Sequence, residues 1–136
     1  MSYRNTHARY GRLSRAFHWL TAGLILIAFP LGLIAEGMPF GTAEEMAAKA
    51  QLFSIHKTLG IAAFFVALAR VIWAFCETRP ASLHPERWLE TFAAETVHWL
   101  LYIAILLVPL SGWVYHASVA GFAPILWPFG LSLIHI

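Results

Sequence analysis

Three long apolar segments, separated by polar stretches, dominate the chain and predict three membrane-spanning helices. They cover residues 16–35, 55–75 and 96–119. Each has roughly the 20 predominantly apolar residues that a helix needs to cross the hydrocarbon core of a bilayer. Pro30 interrupts the first segment, which a membrane helix tolerates. The pattern predicts an all-α membrane protein.

The composition supports this prediction. Of the 136 residues, 60% are apolar and 12% are charged, against about 25% charged residues in a soluble domain. We expect no separate soluble domain, since the three spans use most of the length. The first span is too long for the apolar region of a cleaved signal peptide, which has about 7–15 residues. The single cysteine, Cys76, excludes an internal disulfide, and no CxxCH motif for covalent haem attachment occurs.

Basic residues alternate along the chain in a way that predicts its orientation. Residues 1–15 carry four arginines and no acid, the first loop (36–54) is mainly acidic, and the second loop (76–95) is bordered or occupied by Arg70, Arg79 and Arg87. The positive-inside rule then places the N-terminus and the second loop in the cytoplasm. Topology explains the positive charge, so nucleic acid is not an expected partner.

Each span carries a histidine near one end, namely His18, His56 and His98. An ionisable residue inside a span is costly and is therefore a functional candidate. Neutral imidazole is a common axial ligand of haem iron. The predicted topology puts His18 and His98 near the cytoplasmic face and His56 near the outer face. Two levels of histidine suggest two haems stacked across the bilayer.

The residues one helical turn after these histidines indicate how well each histidine suits haem ligation. Gly60 follows His56 by one helical turn and leaves a bare helix face beside the imidazole, as a flat porphyrin requires, although helix packing would use this glycine equally well. His18 also suits a polar position at the membrane interface. Tyr102 occupies the corresponding position after His98 and would crowd a haem on that side. The role of His98 therefore stays open between haem ligation, hydrogen bonding, proximity to a quinone and polar contact between helices.

Two basic residues and one further histidine are also candidate functional residues. Lys57 and Arg70 lie in or beside the second span, where they either reach the headgroups or neutralise haem propionates or a semiquinone anion. His116 shares a helix face with His98 and is expected to be solvated at the outer interface. No nucleophile–base pair, glycine-rich phosphate loop or carboxylate dyad occurs, so hydrolysis and phosphoryl transfer are not expected.

Five short blocks, taken in order, carry a family resemblance. They are residues 10–19 (YGRLSRAFHW), 55–60 (IHKTLG), 69–73 (ARVIW), 98–102 (HWLLY) and 109–113 (PLSGW). The ordered set resembles the bacterial cytochrome b561 family, in the larger group that includes the cytochrome b subunits of nickel–iron hydrogenases.

The resemblance implies a four-helix membrane bundle that holds two haems b non-covalently, each between two histidines. His18 and His56 would each serve one haem, with partner ligands on a fourth helix, and His98 matches a recurrent histidine of the third helix. The implied function is one-electron transfer in the bacterial inner, respiratory membrane, with lipid, quinone and a redox protein as partners. Whether the chain is itself an enzyme stays open.

The sequence is also compatible with two other functions. One is a cytochrome b membrane-anchor subunit of a hydrogenase or another oxidoreductase, which shares the haem chemistry. The other is a haem-free, proton-coupled membrane carrier, because histidines within a membrane also serve proton relays.

The last six residues, 131–136 (LSLIHI), match the translation of a transposon-end sequencing adapter. We expect them to be a non-native tail, so that residues 1–130 form an incomplete transmembrane domain that lacks its fourth helix.

Overall fold

The computed structural model describes residues 2–118, so the expected boundary at residue 130 and the tail 131–136 lie outside the described residues. Within residues 2–118 the chain forms three helices, α1 (Arg12–Gly37), α2 (Ala43–Cys76) and α3 (Trp88–Ser118). Each is long and apolar enough to cross a membrane. The prediction of an all-α membrane protein is confirmed.

The second helix begins well before residue 55, where the hydropathy pattern placed it. The Thr42 hydroxyl accepts a hydrogen bond from the Glu45 amide (3.2 Å), and the Glu45 carboxylate accepts one from the Thr42 amide (3.0 Å). This reciprocal capping box starts the helix, and the alanine-rich sequence that follows favours its propagation. Most of the predicted first loop is therefore helical, because hydropathy detects only the part of a helix that is apolar enough for the membrane.

The three helices are arranged with α2 in the middle. It packs against both α1 and α3, whereas α1 and α3 do not contact each other within the described part of the chain. The buried apolar residues are small except for Ile61, and they allow the backbones to approach closely; they are Ala28, Ala35, Ile61, Ala63 and Ala67. Many larger apolar side chains are exposed, which suits a surface that faces lipid. A space is therefore left between α1 and α3.

The N-terminal segment, residues 2–11, folds against the end of α2, and we call it the N-terminal clasp. Arg4 Nε donates to Glu77 Oε1, and the Asn5 amide donates to Glu77 Oε2, both at 2.7 Å. The hydrogen bond and the charge of Arg4, together with the Asn5 amide, hold the pKa of Glu77 below its ordinary value of 4.5. The clasp brings the N-terminus and the second loop together on one side of the bundle.

Candidate functional site

An apolar cavity of about 350 Å³ lies in the space between α1 and α3. Its polar side chains are Thr21 of α1, His56 and Lys57 of α2, and His116 of α3, while the rest of its wall is mainly aliphatic or aromatic. The volume falls within the range of small-molecule and cofactor sites, about 300–1,000 Å³. The cavity suits a large apolar group that meets a few polar side chains.

His56 is held in the form in which imidazole binds metal. Its Nδ1 lies 2.7 Å from the carbonyl oxygen of Ala28 on α1. A carbonyl only accepts hydrogen bonds, so Nδ1 carries the proton and Nε2 keeps its lone pair. A backbone carbonyl on the far nitrogen is a frequent way of fixing the orientation of a ligating histidine. The His56 ring also lines the cavity.

A glycine on α1 makes room for this ring. A Cβ atom at Gly32 would lie 2.7 Å from Cε1 and 2.9 Å from Nδ1 of His56, closer than real Cβ contacts allow. Sequence reasoning missed Gly32. The available signal was a glycine inside an apolar helix, where glycine is mildly costly unless a neighbour approaches closely.

The bare helix face expected beside His56 is present. A Cβ atom at Gly60 would meet nothing within 4 Å, and the same holds at Gly112 across the cavity on α3. The open space at Gly60, the oriented imidazole and the apolar wall fit an axially ligated haem at this level.

His18 is in the opposite tautomer and at a different level. Arg70 Nη2 lies 3.2 Å from His18 Nδ1, and because a guanidinium only donates, Nδ1 accepts and the neutral ring carries its proton on Nε2. His18 is exposed and does not line the cavity. Ala28, the partner of His56, follows His18 by ten residues on α1, which corresponds to about 15 Å along the helix. The two histidines therefore lie at separate depths.

Arg70 joins all three helices at the level of His18. Besides its hydrogen bond to α1, its guanidinium lies 5.4 Å from the centre of the Tyr102 ring on α3, a cation–π arrangement. Arg70 is partly buried, so its position is set by protein contacts as well as by any reach toward the headgroups.

His98 lies outside the cavity. Its Nδ1 is 2.7 Å from the carbonyl oxygen of Ala94 in its own helix, which leaves Nε2 as an acceptor, and the side chain is exposed. No hydrogen bond among the described residues joins His98 to His18 or Arg70. It shares a helix face with Leu101, a cavity residue that follows one turn later. Within residues 2–118 the structure brings His18 and Arg70 together but gives neither of them a hydrogen bond to His98.

His116, which the sequence predicts to be solvated at the outer interface, also takes part in the cavity. It is partly buried, lines the cavity, and has its Nδ1 3.2 Å from Lys57 Nζ. Lys57 donates this hydrogen bond. The face that His116 shares with His98 was the signal in the sequence, but only the packing of α3 across α2 turned that face toward the cavity.

Comparison with known proteins identifies the family of the chain. Residues 9–135 match the family model described as prokaryotic cytochrome b561. The chain is also 32% identical over 113 residues to cytochrome b561 homolog 2 of Escherichia coli (strain K12), an alignment that covers 83% of this chain and 58% of the relative. The chain thus spans little more than half the length of this relative. No solved structure matches it.

Proposed function

Because the chain belongs to the prokaryotic cytochrome b561 family of membrane electron carriers, we propose that it binds haem b non-covalently with His56 as one axial ligand. The observation that carries the proposal is the hydrogen bond from His56 Nδ1 to Ala28 O, 2.7 Å long, beside an apolar cavity. It leaves Nε2 as the metal-binding nitrogen, and the bare face at Gly60 gives clearance for a flat macrocycle.

The haem supplies one-electron chemistry, and the protein supplies its orientation and surroundings. Ala28 O fixes the His56 ring and makes it a stronger ligand by accepting from Nδ1. The aliphatic wall excludes water from the site. Lys57 places positive charge at the same level, which compensates a propionate or an anionic quinone. A second histidine on the other face would leave no open iron position, so the site relays electrons rather than binding oxygen.

A second haem at the level of His18 is part of the proposal. Ligation through His18 Nε2 requires the ring to move its proton to Nδ1, so the hydrogen bond from Arg70 has to be given up. Arg70 then becomes available for a propionate. His98 presents an acceptor Nε2 near the same end of the bundle and is the other candidate ligand there. Partner ligands on a fourth helix stay a prediction.

The haem assignment is tested with His56→Ala in the protein purified from membranes. We expect the variant to contain less haem per protein than the wild type, measured from the reduced-minus-oxidised absorption spectrum. His84→Ala is the matched control, because His84 is an exposed loop histidine paired with Glu86. Full retention of haem by His56→Ala would overturn the assignment.

We further propose that the protein exchanges electrons with the quinone pool of the bacterial inner membrane. The support is the family together with the hydrogen-bonded Lys57–His116 pair in the cavity wall, which could hold a quinone oxygen at the edge of the bound haem. In nanodiscs, a quinol should reduce the haem of the isolated protein directly. Reduction only after a dehydrogenase or hydrogenase partner is added would favour the membrane-anchor subunit instead.

A haem-free proton-coupled carrier is the second candidate, and the Lys57–His116 contact is the observation that favours it. Two titratable groups in hydrogen-bond contact within a membrane bundle can pass a proton. The absorption spectrum of the wild-type protein separates this function from the first, since the carrier would be purified without haem.

A further inference from the structure

A second polar feature lies away from the cavity, where the end of α2 meets α3. The guanidinium of Arg79 stands 5.3 Å from the centre of the Trp99 ring. Phe75 also packs against Trp99, with 5.7 Å between the ring centres. A small hollow is formed there together with Val71, Ala74 and Tyr102. We call these six residues the Arg79–Trp99 surface.

The Arg79–Trp99 surface is positively charged and has no carboxylate of its own. Its lining contains no acidic residue. The nearest acid along the chain, Glu77, is engaged by Arg4 and Asn5 of the clasp. The ion pairs found among residues 2–118 involve Arg4, His84 and Arg87, and Arg79 takes part in none of them. Stacking on Trp99 holds the guanidinium in place but leaves its donors for an anion.

The position of this surface identifies the kind of anion. Arg79 follows the end of α2, and tryptophan and tyrosine near the ends of spanning helices mark the boundary between headgroups and acyl chains. On the membrane side of Arg79 lie the apolar Val71, Ala74 and Phe75, of which Phe75 is 71% exposed. An arginine at the end of a span, next to exposed apolar side chains, suits the charged headgroup and the acyl chains of a phospholipid, and basic pockets between spanning helices bind anionic headgroups.

We propose that the Arg79–Trp99 surface binds an anionic phospholipid of the phosphatidylglycerol class. The Arg79 guanidinium donates to the phosphate oxygens, for which its planar fork is well suited. One acyl chain lies along Val71, Ala74 and Phe75 between α2 and α3. The site shares no lining residue with the cavity at His56, so it stands or falls separately from the proposed haem ligation by His56.

The test is lipid titration of the full-length protein in detergent, read by native mass spectrometry, with phosphatidylglycerol and phosphatidylcholine as the two probes. Wild-type protein is expected to retain phosphatidylglycerol in preference to phosphatidylcholine. Arg79→Gln should weaken phosphatidylglycerol binding by about fivefold and leave phosphatidylcholine unchanged. Arg79→Lys keeps the charge and loses the planar fork of the guanidinium. Its phosphatidylglycerol affinity should therefore lie between those of wild-type protein and Arg79→Gln.

Arg87→Gln is the matched control, because it removes the same charge from the same loop but from an arginine paired with Glu90. It is expected to retain wild-type affinity. Equal losses in Arg79→Gln and Arg87→Gln would show a general effect of surface charge and overturn the proposal, as would equal retention of the two lipids by wild-type protein. Trp99→Leu is a second probe: it should lower phosphatidylglycerol affinity while the haem that depends on His56 is retained.

Discussion

At the scale of single residues, the candidate site depends on how each imidazole is hydrogen-bonded. His56 donates through Nδ1 to a backbone carbonyl, whereas His18 accepts at Nδ1 from Arg70. The same residue type thus carries its proton on Nδ1 in one place and, in its neutral form, on Nε2 in the other. The difference comes from the partner that the neighbouring helix presents to each ring.

Gly32 is predicted to be as important for haem binding as a ligand is. In Gly32→Ala the new methyl group would overlap the His56 ring, so either the ring or α1 must move. We expect substantial loss of haem and a destabilisation of about 1–3 kcal/mol, the usual cost of overpacking. Haem content per protein and the thermal unfolding of the purified protein are the measurements.

Gly23→Ala is the control for this substitution, because a Cβ atom there meets nothing within 4 Å and Gly23 lies in the same helix. It should keep its haem and gain slightly in helix stability. Similar behaviour of the two variants would mean that the close approach of Gly32 to His56 has no role in haem binding.

Lys57 is predicted to raise the midpoint potential of the haem bound at His56. A nearby positive charge favours the reduced iron, which carries one positive charge fewer. Lys57→Gln should therefore lower this potential, by an amount on the order of tens of millivolts at an intermediate effective dielectric. Redox titration followed by absorbance measures the shift, and an unchanged potential would place Lys57 away from the haem.

At the scale of elements, local sequence signals set the ends of the helices and tertiary contacts hold those ends in place. The Thr42–Glu45 capping box starts α2 far outside its apolar core. At the other end of α2, the clasp gathers the N-terminal segment onto Glu77, whose side chain is 2% exposed. This end of the bundle is therefore ordered by a carboxylate that has to stay ionised.

The clasp is predicted to loosen in acid. Because the pKa of Glu77 is lower in the folded protein than its ordinary value of 4.5, its contribution to stability is complete above about pH 4.5 and is lost as the pH falls through the lower, folded value. The hydrogen-exchange protection factors of residues 2–11, which correct for the intrinsic pH dependence of exchange, should fall over that interval in the wild-type protein.

Glu77→Gln should remove most of this pH dependence, with exchange in the clasp already several-fold faster at neutral pH. Glu86→Gln is the control, since Glu86 is exposed and touches only His84 in its ion pair. A wild-type pH profile in Glu77→Gln would show that Arg4 and Glu77 do not hold the clasp.

At the scale of the whole molecule, the three helices of residues 2–118, each long and apolar enough to cross a membrane, place the N-terminal clasp and the second loop on the same side, and the first loop on the other. The contacts Arg4–Glu77 and His18–Arg70 agree with this antiparallel arrangement. The distribution of arginines predicts that the shared side is the cytoplasm. The fold shows which segments lie on the same side of the membrane, and the distribution of arginines, an independent observation, predicts which side that is.

The orientation can be measured with Cys76, the single cysteine, which is exposed at the end of α2. A membrane-impermeant maleimide should label it in inverted membrane vesicles and not in intact spheroplasts. In the control variant, which carries Cys76→Ser together with Gly41→Cys in the first loop, the labelling pattern should be reversed. Labelling of Cys76 in intact spheroplasts would contradict the predicted topology.

The sequence by itself determined the number and type of the spans, the family and the candidate histidines, because hydropathy and short ordered motifs are local properties of the chain. Helix ends were less accessible to this reasoning: the polar first turns of α2 are helical for reasons of capping and alanine content that a hydropathy pattern does not register.

Only the tertiary structure decided which groups meet. The tautomers of His56 and His18, the notch at Gly32 and the inward position of His116 each depend on a partner on another helix. Neither the spacing within one helix nor the composition of the chain specifies such a partner, since it follows from how helices rotate and pack against one another. The cavity exists because α2 separates α1 from α3, and that is a property of the packed bundle rather than of any one segment.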